Sequence, residues 1–222
     1  MHRPRQPARL LAVGLFCLFS ATGCDDRPVA AKSGQALFDY CAQCHGEDGT
    51  GQRALAVPAI AGLPAWYVER QLLNFRKGIR GAHPADAAGL RMRPMSRMLA
   101  DEQEVQAVAG YVASLPGVIQ ETTLDGDAGR GAVLYAPCIA CHGPDGKGKR
   151  ELNSPDLTHA SDWYLLEQLH KFKQGLRGAD PRDVTGAQMR AMVGNLPDER
   201  AMRDVIAYIR TLPSSPSGAS GP

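Results

Sequence analysis

Two copies of the pentapeptide Cys-x-x-Cys-His, Cys41-Ala-Gln-Cys44-His45 and Cys138-Ile-Ala-Cys141-His142, stand 97 positions apart. Sliding the chain along itself by that offset aligns residues 41–116 with 138–213 without a gap, and 32 of the 76 paired positions are identical. Repetition at such a period means two copies of one structural unit, so a fold that suits one half must suit the other. The pentapeptide itself is the attachment site of c-type haem: the two thiols add across the porphyrin vinyl groups as thioethers, and the adjoining His becomes the proximal iron ligand. Redox dithiols or half zinc sites are the alternative reading. Two motifs at a fixed offset, each followed by the same downstream landmarks, favour two covalent haems.

Those landmarks run through Gly46/Gly143, Pro58/Pro155, Trp66/Trp163, Tyr67/Tyr164, Gln71/Gln168, Arg80/Arg177, Met92/Met189 and Met95/Met192. Each unit reads as helices and loops, with no segment that alternates as a strand. Val105, Val108, Ala109, Val112 and Leu115 form one apolar stripe, and Met202, Val205, Ile206, Ile209 and Leu212 form its copy; both have helical spacing and end at a Pro. Further helices are expected over residues 66–77 and 163–174, closed by Gly78 and Gly175. A short helix should lead into each haem motif, with Phe38 and Tyr135 turned inward. Units of this size bury little apolar surface alone, so the haem must serve as core. The expected architecture is all-α: domains at residues 33–116 and 130–213, a connector at 117–129, and a Ser/Pro/Gly-rich disordered tail at 214–222.

The N-terminus reads as an export signal. Arg3, Arg5 and Arg9 precede the apolar stretch from Leu10 to Phe19, which is short for a membrane span, and small residues follow up to Cys24. Ala-Thr-Gly-Cys24 resembles a bacterial lipobox, which would make Cys24 a lipidated first residue at the inner membrane; ordinary cleavage before Cys24 or after Ala31 is the alternative. Residues 1–23 hold three arginines and no acid, so their removal leaves 22 basic against 23 acidic residues. Nothing in that balance suggests nucleic-acid binding. The other four cysteines belong to the haem motifs, and apart from Cys17 and Cys24 no thiol remains for catalysis or a disulfide.

The iron needs a second axial ligand, and Met-x-x-Met occurs in what read as matching loops, Met92/Met95 and Met189/Met192. Spacing alone does not choose within either pair. Here the chain resembles the cytochrome c4 family, dihaem periplasmic proteins built from two class I cytochrome c domains. The resemblance covers nearly all of residues 33–213, through Cys-x-x-Cys-His-Gly-x-Asp-Gly, Trp-Tyr followed by Gln-Leu, Gly-x-Arg, and Met-x6-Leu-x-Asp-Glu. It implies Met92 and Met189 as axial ligands, seven residues before Leu99 and Leu196. It also implies that the Pro58 and Pro155 carbonyls accept from the proximal His45 and His142. Arg80, Arg177, Trp66, Trp163, Tyr67 and Tyr164 become candidate partners for the haem propionates.

One departure stands out. The family's Pro-x-Leu-x-Gly reads Pro58-Ala-Ile-Ala-Gly62 in the first half but Pro155-Asp-Leu-Thr-His159 in the second, so the second loop should bend differently. His83, His159 and His170 each occur in one half only and read as surface residues. The resemblance implies an electron carrier, working between a quinol-oxidising complex or dehydrogenase and a terminal oxidase or reductase. A dedicated haem subunit of a larger oxidoreductase is the alternative. The gapless repeat further predicts that the halves pack as a pseudo-twofold pair with their haems facing.

Overall fold

The computed structural model describes residues 31–118 and 121–214. The proposed export signal with Cys24, and the tail beyond residue 214, lie outside the described residues. The first half contains α1 (Gly34–His45), α2 (Ala65–Arg76), α3 (Ala87–Arg97) and α4 (Glu102–Ser114). The second contains α5 (Ala128–Tyr135), α6 (Ile139–His142), α7 (Asp162–Lys173), α8 (Val184–Val193) and α9 (Glu199–Ile209). Short 3-10 turns lie at Arg53–Leu55, Ala136–Cys138 and Arg150–Leu152. Among the described residues there is no strand, only the isolated bridges Gln52–Val57 and Lys149–Ser154.

In each half the first helix crosses the last. Gly34 of α1 and Gly131 of α5 lie against the backbone of α4 and α9, where a Cβ would run into the carbonyl oxygen of Ala107 or Asp204. One turn further on, Phe38 meets Tyr111 with ring centroids 5.2 Å apart, and Tyr135 meets Tyr208 at 5.3 Å. Both pairs are tilted, as aromatic quadrupoles favour. Around these crossings Leu37, Phe38, Leu99, Val105, Val108 and Val112 form the first core. Tyr135, Phe172, Leu196, Met202, Val205 and Ile206 form the second.

Aspartate caps start most helices, because their carboxylates satisfy otherwise orphan N–H groups. Asp101 accepts from Glu104 N at 2.9 Å, Asp127 from Arg130 N at 3.0 Å, and Asp198 from Ala201 N at 2.8 Å. The Asp127 cap starts α5 at Ala128, so the last two residues of the predicted connector are helical.

The methionine segments differ from expectation. They are helices rather than loops. Gly89, Gly186 and Pro94 read as helix breakers, but Asp86 and Asp183 cap α3 and α8, accepting from Gly89 N at 2.9 Å and Gly186 N at 3.0 Å. A well-made cap offsets the poor propensity of the glycine that follows.

The connector is bound to the second half. Buried Asp162 accepts from Thr123 N, Thr123 Oγ1 (2.7 Å), Leu124 N (2.8 Å) and Trp163 N (2.6 Å). Buried Asp204 accepts from Asp127 N at 2.8 Å and pairs with Arg130, while Arg203 meets Asp125 at 3.0 Å.

Candidate haem sites and the seam between the halves

Helices α1 and α6 each end on the His of the pentapeptide, His45 and His142. His45 Nδ1 lies 2.9 Å from the Pro58 carbonyl oxygen, and His142 Nδ1 lies 3.0 Å from that of Pro155. A neutral imidazole whose Nδ1–H is donated to a carbonyl has its Nε2 lone pair available for a metal. Both rings are buried, which lowers their basicity, and the carbonyl bond opposes that shift only in part. His142 has a second neighbour: the Ser154 hydroxyl is 3.0 Å from its Nδ1. The matching residue in the first half is Val57.

Within each Cys-x-x-Cys the first cysteine is the more buried of the two. Cys41 and Cys138 pack against the two cores, while Cys44 and Cys141 are exposed. A cavity of about 350 Å³ is lined by Cys138, Cys141, His142, Met189 and Met192 of the second half and reaches the seam, where Tyr67, Arg70 and Gln71 of the first half complete it. It has the parts a covalent haem requires: two thiols, a braced imidazole and thioethers within one largely apolar hollow. Met189 packs against the second core, and Met92 is half-buried on α3. The alternative ligands differ from each other: Met192 is half-buried, whereas Met95 is 36% exposed.

Arg80, Arg177, Tyr67 and Tyr164 come together where the halves meet. Arg80 Nη1 donates to Gln71 Oε1 at 2.8 Å, and its Nη2 reaches across to Tyr164 Oη at 2.9 Å and Gln168 Oε1 at 3.1 Å. Arg177 mirrors it, with Nη1 to Gln168 Oε1 at 2.9 Å and Nη2 across to Gln71 Oε1 at 3.2 Å. Two guanidiniums and two carboxamides thus close a ring with pseudo-twofold symmetry. Each guanidinium also lies over a phenylalanine, Phe75 or Phe172, at 4.6 Å. Burial alone would raise the Tyr67 hydroxyl, but the charges of Arg177 and Arg80 hold it below its ordinary value. Burial would likewise lower Arg80, and its tyrosine and Asp86 neighbours raise it instead. Trp66 and Trp163 sit edge-on to Tyr67 and Tyr164 at 5.7 and 5.9 Å, half-buried.

Gln71 and Gln168 were absent from the sequence-derived set of site residues, although their identity at matching positions was a usable signal. They are buried, and Gln168 Nε2 has no hydrogen-bond partner among the described residues. At the seam's edge, Arg70 donates to the Asn153 carbonyl at 3.0 Å and Lys171 pairs with Asp86 at 2.8 Å.

The histidine expectation needs one correction. His83 is exposed and His170 pairs with Glu199 at 3.1 Å, but both ring nitrogens of His159 are shielded from solvent. The surrounding loop explains this. Gly62 takes φ 72° and donates its N–H to the Val112 carbonyl at 3.0 Å, whereas His159 avoids positive φ. The second loop is instead tied by Asp156, which accepts from Thr158 N and Oγ1, both at 2.7 Å.

The cytochrome c family model matches residues 31–116 and 128–213. The chain is 36% identical over 163 residues to a thiosulfate dehydrogenase electron acceptor of Stutzerimonas stutzeri, covering 68% of this chain and 71% of that protein. It resembles the cytochrome c4 structure of Acidithiobacillus ferrooxidans with a TM-score of 0.64 at 27% identity, over 79% of this chain and 99% of that one. It also resembles a thiosulfate dehydrogenase structure from Marichromatium purpuratum, with a TM-score of 0.63 at 31% identity, over 81% of this chain but 40% of that longer one. The chain therefore belongs to the cytochrome c family: two tandem cytochrome c domains in the arrangement of cytochrome c4, forming an electron carrier with two covalent haem c groups.

Proposed function

We propose that this chain is a periplasmic carrier that takes electrons from a dehydrogenase and passes them to a terminal oxidase or reductase. Thiosulfate dehydrogenase is the favoured donor, because a relative with 36% identity is named as the electron acceptor of that enzyme. The observation that carries the reading is the site itself. A carbonyl-braced His and a Met of the second half line one cavity, and the first half carries both residue types at the matching positions. Haem held between His and Met has both axial positions filled, and it exchanges electrons rather than binding oxygen or peroxide.

In this reading Cys41, Cys44, Cys138 and Cys141 hold the porphyrins, and His45 with Met92, and His142 with Met189, ligate the irons. Pro58 and Pro155 fix the imidazole planes. Arg80 and Arg177 carry two positive charges into the seam, with no carboxylate in ion-pair contact among the described residues, so haem propionates are their natural counter-ions. Tyr67, Tyr164, Trp66 and Trp163 supply further single donors. Propionates gathered there would bring the two haems close, and oxidising one would raise the potential of the other. Among the described residues no helix is long and apolar enough to cross a membrane. Cys24, as a lipid anchor, would then supply the attachment.

A redox titration of the holoprotein tests this. Two one-electron midpoints are expected, with the near-infrared band of Met–Fe(III) ligation. Met92→Ala and Met189→Ala should each remove one haem's share of that band, while Met95→Ala and Met192→Ala preserve it. Ready binding of carbon monoxide by the native protein would point to an open iron site and to catalysis. Purified thiosulfate dehydrogenase with thiosulfate should reduce both haems; failure to do so removes that donor.

A further inference from the structure

The outward face of α3 shares Met95 with the second half, as Met192, but Leu90, Arg91, Arg97 and Met98 have no counterpart there. Leu90, Arg91, Met95, Arg97 and Met98 all point to solvent along it, with Leu90 38% and Met98 51% exposed. Arg91 Nη2 donates to the Leu55 carbonyl at 2.9 Å, which joins the Arg53–Leu55 turn to the same face and adds exposed Leu55 and Arg53. Residues 87–100 contain no acid, and among the described residues no carboxylate pairs with Arg53, Arg91 or Arg97. The acids flanking this stretch are engaged elsewhere: Asp86 caps α3 and pairs with Lys171, Asp101 caps α4, Glu102 lies 3.9 Å from Lys77, and Glu104 lies 3.9 Å from Lys32. In the second half, Gln188, Gly194 and Asn195 replace Arg91, Arg97 and Met98.

We propose that this arginine- and methionine-bearing face of the first half is the docking surface for an acidic redox protein. Arg91 and Arg97 each spend one N–H on a backbone carbonyl, of Leu55 and Arg76. With no carboxylate partner, their remaining fork-shaped donors match carboxylates, and the guanidiniums keep their charge at any physiological pH. The exposed Met and Leu side chains are adaptable and sparse, which suits brief encounters rather than a permanent interface. The face lies on the outside of the helix whose inner side carries Met92. A partner seated there would meet the first haem through a single helix, a placement that rests on the ligand assignment above. A basic, partly apolar helix also suits an anionic lipid surface, but this one exposes no aromatic residue and only partly uncovered aliphatic ones.

The test uses the haem-loaded protein and an acidic flavodoxin hydroquinone as electron donor, followed by stopped-flow absorbance at low ionic strength. Arg91→Gln with Arg97→Gln should slow reduction roughly tenfold or more and flatten its ionic-strength dependence. Arg91→Gln installs what the second half already carries at 188, so the fold should tolerate it. Lys149→Gln with Arg150→Gln, in the second half, should stay close to the parent. Neutral lumiflavin semiquinone should reduce all three proteins alike, and unchanged midpoints with an intact Met–iron band would show the haem sites undisturbed. An unchanged flavodoxin rate in the α3 variant overturns the proposal, as does an equal loss in the second-half variant. Tight binding to phosphatidylglycerol vesicles that the α3 variant abolishes would reassign the face to a membrane and equally overturn it.

Discussion

The two halves share their helices, their crossing and their braced histidines, yet they bury different chemistry at equivalent positions. Where the first half has Ala65 and Ala107, the second has Asp162 and Asp204, both almost fully buried. A buried carboxylate is costly unless its lone pairs are filled, and here the connector fills them with N–H and O–H donors. The comparison teaches that the second half is completed by sequence lying outside the repeat. The first half is closed by apolar packing, and the second by packing plus a polar strap.

The largest expected effect comes from cutting that strap. Asp162→Asn or Asp204→Ala should destabilise the second half by about 2–4 kcal/mol, since the first sets an amide NH2 against buried N–H donors and the second leaves Asp127 N and the Arg130 fork without their carboxylate. Denaturant unfolding of the holoprotein, followed separately at each haem, should show the second half melting first and the first half unmoved. Equal destabilisation of both halves would break the comparison.

Acid should produce the same order without mutation. Burial alone would raise Asp162 and Asp204, but the donors around each carboxylate overcome it and hold both below the ordinary range. A depressed folded value contributes stability that is complete above the unfolded value near 4 and lost as pH falls through the folded one. The second half should therefore loosen first below about pH 4, read as faster amide exchange at Thr123 and Leu124.

A smaller effect concerns the irons. Beside its Pro155 carbonyl, His142 Nδ1 has the Ser154 hydroxyl, whereas His45 has the Pro58 carbonyl and an apolar Val57 at the position of Ser154. An acceptor on Nδ1–H makes the imidazole a stronger donor and favours ferric iron. Ser154→Val should raise the second haem's midpoint by roughly 20–40 mV, a fraction of one hydrogen bond's worth. A fall, or an equal shift at both haems, would sever Ser154 from the difference.

The smallest concerns the backbone. Ala56 and Asn153 occupy equivalent left-handed positions at φ 52° and 54°. Asn tolerates that region and Ala does not, so Ala56→Asn should stabilise the first half by about 0.5–1 kcal/mol. Thermal unfolding of the holoprotein would register it.

Periodicity made α2, α4, α7 and α9 readable in advance, because their apolar stripes and terminal Gly or Pro are local signals. The helices bearing Met92 and Met189 were not readable. Gly89 and Pro94 argue against helix one residue at a time, whereas the caps from Asp86 and Asp183 act on a whole turn. The haem pentapeptides were legible as chemistry and the proline carbonyls through family resemblance. The seam glutamines were visible only as identities without an evident task. Asp162 and Asp204 had a signal that went unused: a charge at a core-facing register where the other copy has alanine. Such breaks in a repeat mark places where something outside the repeat makes contact.

The ring of Arg80, Gln71, Arg177 and Gln168 has an evolutionary consequence. Tyr67, Gln71 and Arg80 meet Tyr164, Gln168 and Arg177, which is the same trio on both sides. A surface that complements its own copy needs no second surface to evolve alongside it. A single-unit ancestor bearing this trio would already have paired with itself, and joining two copies end to end would have converted that pairing into an internal one. From then on the trio is constrained in duplicate: a change on one side strands its counterpart on the other, so these positions should drift together or not at all.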